Sequence, residues 1–359
     1  MLTSPLQPLG PGARLALLAN PVARRAGSAR RLREAALVLR ERYQIDIVSP
    51  ADPAAIASAA RAAAASHDGI VVLGGDGTLN RVVNALGENS TPVGLLPLGT
   101  GNDFARAMKI PTDLRGAAVR LLNGRVRMVD LLEVNGHLFC TAGLLGLPAD
   151  AALSVDRWTR PSSWTRPFAR LLGGATYRLA GIRHLMLRGG TTRTLHLRLS
   201  PSMCESGDLR APSGPSAERA DPITCGGNES WPHVRVEAPS ESVPVMVHDG
   251  HRRMATHGVF VANTAVLGGG LVLPLDADES DGRMEVAVIR RMPRLRLWWA
   301  FACLAQGWPV PEGVLDIARA PAVEIVSDEE LPFTADGDLL CRDTRFAVRV
   351  RPCALRVIC

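Results

Sequence analysis

Short apolar runs alternate with helical stretches at the start of this chain, and this alternation restricts the fold more than any other feature. The runs cover residues 14–19, 45–48, 70–73 and 93–97, and the stretches between them carry apolar residues at three- and four-residue spacing. Short apolar runs of this kind are typical of strands buried on both faces, and strands that alternate with helices are typical of parallel sheets. We therefore predict an α/β domain over residues 10–131, with a mainly parallel sheet covered by helices on both faces.

The pattern changes after residue 126. Asn135-Gly136 joins two alternating runs, as in a tight β-hairpin. Further short runs continue to residue 350, interrupted by predicted helices at 167–187 and 295–306, and residues 203–243 are a Pro/Ser/Gly/Glu-rich stretch without a period. We predict a β-rich second domain over residues 132–349 with a flexible insertion at about 203–243, and a tail at 350–359 that returns to the first domain.

Lysine is nearly absent, which excludes several ways of binding phosphate. Of 41 basic residues only Lys109 is a lysine, and it lies before Ile110-Pro111. A P-loop needs a Gly-Lys pair and a protein kinase needs a lysine on a strand, and Lys109 fits neither pattern. Any phosphate bound by this chain must therefore meet backbone amides, arginines or a metal ion.

The cysteines and the hydropathy pattern favour a reduced, cytoplasmic protein. Seven cysteines occur without a C-x-x-C pair, and the N-terminus lacks the features of a signal peptide. No run reaches the about 18 to 20 apolar residues of a spanning helix. Peripheral contact with the inner face of a membrane and formation of a homodimer stay open, and we expect no nucleic-acid partner.

Two glycine loops follow neighbouring predicted strands. The first contains Gly74, Gly75, Asp76, Gly77, Thr78, Leu79 and Asn80, and the second contains Gly99, Thr100, Gly101, Asn102 and Asp103. Glycines at the start of a helix let backbone amides approach a phosphate chain closely. Asp76 repels phosphate by itself, so it suits either a bridging Mg²⁺ or the orientation of an attacking hydroxyl. The structural alternative is a pair of tight turns in which Thr78 and Asp103 cap helices.

These loops resemble those of the diacylglycerol kinase catalytic domain family, specifically the bacterial lipid kinases related to sphingosine and ceramide kinases. The resemblance rests on Asn20-Pro21 and on residues 74–80 and 96–105, with thinner matches at 268–270, 281–282 and 336–338. It implies an NAD kinase/diacylglycerol kinase-like α/β domain that binds nucleotide, followed by a β-sandwich-like domain that binds lipid. The expected activity is ATP-dependent phosphorylation of a hydroxyl on a diacylglycerol-like or sphingoid lipid.

The resemblance also assigns candidate site residues. The implied ATP-binding residues are Asn20, Ser49, Gly74, Gly75, Asp76, Gly77, Thr78, Leu79, Asn80, Gly99, Thr100 and Asp103. The implied Mg²⁺ ligands are Asp278, Asp281 and the carbonyl of Arg283 in the acidic loop at 275–283. The family's Asp-Gly-Glu, whose glutamate accepts the proton, is Asp336-Gly337-Asp338 here, so Asp338 is the candidate base, with Asp336 and Asp76 as alternatives.

Two rival functions and one local ambiguity remain at this point. An NAD kinase or phosphofructokinase relative shares a Gly-Gly-Asp-Gly turn and would act on a soluble substrate. A degenerate lipid- or nucleotide-binding protein would explain Asp338 in place of glutamate. Trp298-Trp299, with Phe301, suits either core packing of an amphipathic helix or insertion into a bilayer interface, and we interpret it as core packing.

Overall fold

A computed structural model describes residues 9–20, 28–159, 191–200, 247–248, 251–268 and 270–359. The predicted helix at 167–187 and the predicted insertion at about 203–243 lie outside the described residues. Within the described ranges, no helix is both long enough and apolar enough to cross a bilayer.

The N-terminal part alternates strands with helices, as predicted. Strand β1 pairs in parallel with β2 and β3, and β3 pairs in parallel with β4. Strands β1, β3 and β4 are buried almost throughout, as expected of strands covered on both faces. The elements are β1 Arg14–Ala19, α1 Ser28–Leu39, β2 Gln44–Val48, α2 Ile56–Ala64, β3 Gly69–Gly74, α3 Asp76–Leu86, β4 Val93–Pro97, α4 Asp103–Ala107 and α5 Leu114–Leu121.

The remaining elements are mostly strands. Neighbours pair antiparallel, among them β10 with β7, β8 and β13, and β15 with β7, β8 and β16. The elements are β5 Val126–Val134, β6 His137–Phe139, β7 Ala142–Gly146, α6 Leu147–Thr159, β8 Arg193–Ser200, β9 Val247–His248, β10 His251–Ala262, β11 Val266–Leu267, β12 Leu271–Val272, β13 Met284–Arg290, α7 Arg294–Gln306, β14 Leu315–Ala320, β15 Ala322–Ala335 and β16 Asp338–Ile358.

Strand β16 joins both parts into one sheet. It pairs with β15 over its first half, with β5 over its second half, and with β4 through Val357 and Val93. The strand order is β14-β13-β10-β7-β15-β16-β4-β3-β1-β2, with β5, β6, β8 and β9 off this path. Leu355, Val357 and Ile358 thereby pack in the same apolar core as β1 and β3.

The prediction of a mainly parallel sheet holds for β1 to β4 and is not confirmed for the sheet to which they belong. Apart from the contact between β16 and β4, every described pairing beyond these four strands is antiparallel. Parallel pairing needs a long crossover, whereas antiparallel strands need only a short turn. The predicted hairpin at Asn135-Gly136 is confirmed, with φ of 46° and 86°, and it marks the start of the antiparallel part.

The interpretation of Trp298, Trp299 and Phe301 as core residues is confirmed for Phe301, which packs against an apolar core cluster, and is wrong for the two tryptophans. Trp298 and Trp299 do not pack in the core, because their exposed fractions are 40% and 51%. Helix α7 buries Leu297, Ala300 and Cys303 instead. The helix is apolar on both faces, so its periodicity could not show which face points inward.

Candidate active site

The two glycine loops lie side by side at the carboxyl ends of β3 and β4. Gly74 is in register with Pro97, and the amide of Leu98 donates a hydrogen bond of 2.8 Å to the carbonyl of Gly74. A Cβ on Gly99 would lie 2.7 Å from the Cα of Gly75, and a Cβ on Gly75 would lie 2.8 Å from the Cα of Gly99. The two backbones therefore touch at positions where no side chain fits.

Asn102 fixes the shape of the second glycine loop. Its φ is +52°, in the left-handed region that asparagine tolerates better than most residues. Its side-chain oxygen accepts from the amide of Gly99 at 2.8 Å, and its side-chain nitrogen donates to the Gly99 carbonyl at 3.0 Å. Arg106 donates to the carbonyl of Gly101 at 3.1 Å. The loop is thus held by its own side chains before any ligand binds.

Asp76 begins helix α3 and faces other acids. Its carboxylate accepts a hydrogen bond from the amide of Phe104 at 3.1 Å, and Asp103 accepts one from the amide of Gly270 at 3.1 Å. Burial raises the pKa of Asp76 to about 7, the charges of Asp103 and Asp336 add to the shift, and the Phe104 hydrogen bond opposes it. A cation or a hydrogen-bond donor from a ligand would relieve this concentration of negative charge.

Asp336 is fully engaged by hydrogen bonds. It lies in the turn between β15 and β16 with φ of +51°, and it is 7% exposed. One carboxylate oxygen accepts from the side chain of Asn80 at 2.9 Å and the amide of Cys140 at 2.8 Å. The other accepts from the amide of Thr141 at 2.9 Å and its hydroxyl at 2.6 Å. A carboxylate offers about four acceptor positions, and all are used, so Asp336 ties elements together and does not suit the predicted role of base.

Asp338, two residues later, is the carboxylate that reaches the first glycine loop. Its side chain is 44% exposed and lies 3.8 Å from the guanidinium of Arg81 on α3. A Cβ on Gly77 would lie 2.8 Å from a carboxylate oxygen of Asp338. The absence of a side chain at Gly77 therefore lets Asp338 approach the start of α3.

A polar cavity of about 220 Å³ joins these groups. Both glycine loops line it, together with Asp336 and Asp338. An apolar cavity of about 150 Å³ lies beside it, walled partly by helix α7. The two cavities share the lining residues Leu144, Ala152, Leu267 and Gly268. A molecule with a polar end and an apolar chain would fit across this boundary.

Thr334 lines the polar cavity from β15. It is 2% exposed, and its hydroxyl has no hydrogen-bond partner within the described structure. Burying a hydroxyl without a hydrogen-bond partner costs free energy, and such groups commonly bind a ligand or a water molecule. Sequence analysis missed Thr334, and its only sequence signal is its position two residues before Asp336.

The acidic loop at 275–283 is organised by a residue that sequence analysis also missed. Asp130, on β5, accepts hydrogen bonds from the amides of Gly282 and Cys353, each at 2.7 Å. Burial raises the pKa of Asp130, with the charges of Asp281 and Asp278 adding to the shift and the two hydrogen bonds opposing it. An acid directly between the apolar residues Val129 and Leu131 of a strand was the signal that could have found it.

The carboxylates of the predicted metal ligands Asp278 and Asp281 both bond to groups within this loop. Asp278 accepts from the amide of Ser280 at 2.9 Å and from its hydroxyl at 2.7 Å, and Asp281 accepts from the amide of Arg283 at 2.8 Å. In the part of the chain that the structure describes, no three His, Cys, Asp or Glu side chains are grouped to hold a metal ion. A cation here would need carbonyl or water oxygens as well.

Of the other predicted nucleotide-binding residues, some brace the first glycine loop, some line the polar cavity, and some do neither. Asn20 donates to the hydroxyl of Thr78 at 2.7 Å, and a Cβ on Gly74 would lie 2.6 Å from the Cβ of Thr78, so these three brace the first loop. Thr100 and Asp103 line the polar cavity, as do Gly75, Asp76, Gly77 and Gly99. The side chain of Leu79 is buried in the core, Asn80 bonds Asp336 instead, and Ser49 is exposed beyond the end of β2.

Both the N-terminal and the C-terminal part of the chain match known protein families. Residues 14–134 match the diacylglycerol kinase catalytic domain, and residues 238–359 match the YegS C-terminal NAD kinase beta sandwich-like domain. A Pseudomonas aeruginosa protein named "Probable lipid kinase YegS-like" is 31% identical over 301 residues, covering 82% of this chain and 78% of that protein.

A second relative by sequence and a solved structure are also similar to this chain. A diacylglycerol kinase of Staphylococcus aureus is 37% identical over 121 residues, which cover 32% of this chain and 37% of that protein. A crystal structure of a diacylglycerol kinase from Bacillus anthracis has the same fold, with a TM-score of 0.67, 18% sequence identity and 96% of each chain covered. This chain therefore belongs to the diacylglycerol kinase family of lipid kinases, with a YegS-type C-terminal domain.

Proposed function

We propose that this chain transfers the γ-phosphoryl group of ATP to the hydroxyl of a diacylglycerol-like or sphingoid lipid that lies across the boundary of the polar and apolar cavities. Membership in a kinase family implies ATP as the phosphoryl donor. The observation that carries the proposal is the position of Asp338, in a cavity where both glycine loops meet an apolar wall.

In this proposal residues 10–131, with the tail at 350–359, bind the nucleotide. Amides of Gly75, Asp76, Gly77 and Thr100 would contact the phosphate chain, because they lie at the start of α3 and in the facing loop. Asn20 and Thr78 brace the first loop from behind. Preformed amide positions of this kind stabilise the charge that spreads over the phosphoryl oxygens during transfer.

The β-rich part, residues 132–349, would hold the lipid. With the shared wall of Leu144, Leu267 and Gly268, an apolar chain would lie in the apolar cavity and its polar end beside the glycine loops. The hydroxyl of Thr334 would bond an oxygen of the acceptor, satisfying a group that has no partner in the described structure. A buried polar group of this type favours an acceptor that carries a second oxygen near the reacting hydroxyl.

The reacting hydroxyl would lose its proton to Asp338. The hydroxyl oxygen attacks the γ-phosphorus, its proton passes to a carboxylate oxygen of Asp338, and the bond to the bridging oxygen of ADP breaks. Asp338 suits this step because its side chain is 44% exposed, whereas Asp336 is saturated by four hydrogen bonds. Asp336 instead positions the turn that carries Asp338.

Mg²⁺ fits the donor chemistry of this site. The negative charge of Asp103 raises the pKa of Asp76, which shows that the two carboxylates repel each other. A cation near the phosphates would reduce this repulsion. Asp278, Asp281 and the carbonyl of Arg283 would hold a second ion in the acidic loop, together with water oxygens. When bound, Mg²⁺ would neutralise charge on the transferring phosphoryl group.

A panel assay tests the proposal against its rivals. The full chain is incubated with γ-labelled ATP and Mg²⁺ and with detergent-dispersed diacylglycerol, ceramide and a sphingoid base, or with a soluble dinucleotide or sugar phosphate. We expect label in a lipid. Label in a soluble acceptor alone would instead establish the NAD kinase or phosphofructokinase alternative, and ATP binding without label in any acceptor would establish a non-catalytic binding protein.

A further inference from the structure

Helix α7 is apolar on the face that points to solvent as well as on the face that points inward. Leu295 is 84% exposed, Trp298 40% and Trp299 51%. Trp308, just beyond the helix, is 55% exposed, and its ring centroid lies 6.3 Å from that of Trp299. We call these four side chains the tryptophan face. Exposed apolar clusters of this kind mark interaction surfaces, since single exposed apolar residues are common but groups of large ones are not.

The charged side chains of helix α7 and of the residues just before it are all basic. Residues 290–311 contain four arginines and no aspartate or glutamate. Arg291 and Arg294 are exposed at the start of α7. Arg290 is paired with Asp316, and Arg296 donates to the carbonyl of Glu312 at 2.7 Å. A basic rim beside exposed tryptophans is complementary to an anionic lipid surface, where tryptophan rings settle at the headgroup level and arginines meet lipid phosphates.

The same helix forms a wall of the apolar cavity. Leu297, Ala300, Phe301 and Leu304 line that cavity from the inner side of α7. A helix with its side chains is about 10 to 12 Å across, so the tryptophan face and the cavity are separated by little more than one helix. A bilayer in contact with this face would lie next to the cavity that is to receive the lipid chain.

We propose that the tryptophan face docks the protein on an anionic lipid bilayer. The inference rests on the proposed lipid kinase function, because a bilayer is the source of a lipid acceptor, and it assigns the surface through which that acceptor is reached. Trp298 and Trp299 enter the headgroup region with Leu295, while Arg291 and Arg294 contact anionic headgroups. The occupant is a bilayer, because the exposed arginines Arg291 and Arg294 favour an anionic surface over a neutral apolar one.

Vesicle binding of the full chain tests the surface directly, without ATP. Vesicles of phosphatidylcholine alone are compared with vesicles that also contain phosphatidylglycerol, and bound protein is measured by co-sedimentation. We expect binding to the anionic vesicles, weakened by about tenfold or more in the Trp298→Ser/Trp299→Ser variant. The matched control is Leu37→Ser/Val119→Ser, which removes two apolar side chains that are 63% and 51% exposed on α1 and α5.

The arginines are tested in the same way. Each exposed arginine near an anionic surface is worth about fivefold in binding, so Arg291→Gln/Arg294→Gln should weaken binding about 25-fold at low salt. The matched control, Arg31→Gln/Arg33→Gln, removes two exposed arginines of α1 and should keep binding. Loss of binding in the α1 variant with retention in the α7 variant would overturn the proposal.

Two further readouts separate this inference from the function on which it rests. In detergent micelles the tryptophan variant should keep wild-type turnover and a wild-type melting temperature, since neither tryptophan lines the polar or the apolar cavity described above. Vesicle binding that depends on the tryptophans in a chain that phosphorylates no lipid would remove the proposed function but leave the docking surface. Wild-type vesicle binding in the tryptophan variant, or a dimer in gel filtration that the variant dissociates, would refute docking on a bilayer.

Discussion

The substitution Asp336→Asn tests the proposal that Asp336 is a structural carboxylate and Asp338 the catalytic one. Asp336 links α3, through Asn80, to Cys140 and Thr141 on the segment between β6 and β7. Asparagine has nearly the same shape and tolerates the φ of +51°. The change therefore replaces one acceptor oxygen by a donor and removes a buried charge, without adding backbone strain.

The size of the effect follows from the hydrogen bonds. With the new amide nitrogen toward Thr141, the threonine hydroxyl can turn to accept from it, and only the Thr141 amide loses its partner. One buried donor without a partner costs about 1 to 3 kcal/mol, and the remaining bonds weaken because the acceptor is no longer charged. We expect the free energy of unfolding to fall by about 2 to 4 kcal/mol.

Urea unfolding measures this loss, and Asp338→Asn is the comparison. Asp338 is 44% exposed and 3.8 Å from Arg81, and exposed ion pairs are worth about 0 to 1 kcal/mol. Asp338→Asn should therefore keep nearly wild-type stability and lose turnover. If Asp336→Asn unfolds like the wild type yet has lost all turnover, the assignment of Asp336 as a positioning residue is wrong.

The remaining predictions concern the cavities and their charge. The pKa of Asp76 is about 7 in the folded chain, compared with 3.8 for an unperturbed aspartate. Between these pH values the folded chain keeps a proton that the unfolded chain releases. The free energy of unfolding should thus fall as pH rises from about 4 to about 7, and urea titrations should show a flatter profile for Asp76→Asn. Gly99→Ala places a Cβ 2.7 Å from the Cα of Gly75, and the displaced loop should weaken ATP binding by about tenfold or more in calorimetry; unchanged affinity would contradict the role of the loop contact. Thr334→Val should leave the melting temperature unchanged or higher, because the hydroxyl has no partner in the described structure, but should lower kcat/KM for lipid by about tenfold; equal kinetics would remove Thr334 from the site. Ala300→Trp should fill the apolar cavity and raise the KM for a long-chain lipid while leaving the KM for ATP unchanged; a rise in both would indicate general distortion.

The parts predictable from the sequence were those set by local pattern. Buried strands such as β1 and β3 are continuous apolar runs, and the glycine loops follow them at once, so local sequence was enough to place both loops at one edge of a sheet. The turn at Asn135-Gly136 requires positive φ angles, which its two residues supply most readily.

The parts that escaped prediction depend on contacts between distant residues. Asp336 and Asp338 are both aspartates beside Gly337, so the sequence alone does not distinguish their roles. The hydrogen bonds that distinguish them come from Cys140 and Thr141, almost 200 residues earlier. Sheet continuity depends on β16, which pairs with strands from both parts of the chain. Asp130, likewise, acquires its role only when the acidic loop folds over β5. Periodicity carries no information about such pairings.

Turnover of Asp338 variants tests the central claim most directly. Lipid phosphorylation in mixed micelles is measured for the wild type, Asp338→Ala and Asp338→Glu, with Asp328→Ala, a 68% exposed acid on β15, as the matched control. General-base groups contribute about 100- to 10,000-fold to a rate. We predict that Asp338→Ala lowers kcat about 100-fold or more with ATP affinity intact, that Asp338→Glu keeps or raises turnover, and that Asp328→Ala matches the wild type. A wild-type kcat for Asp338→Ala would contradict the account.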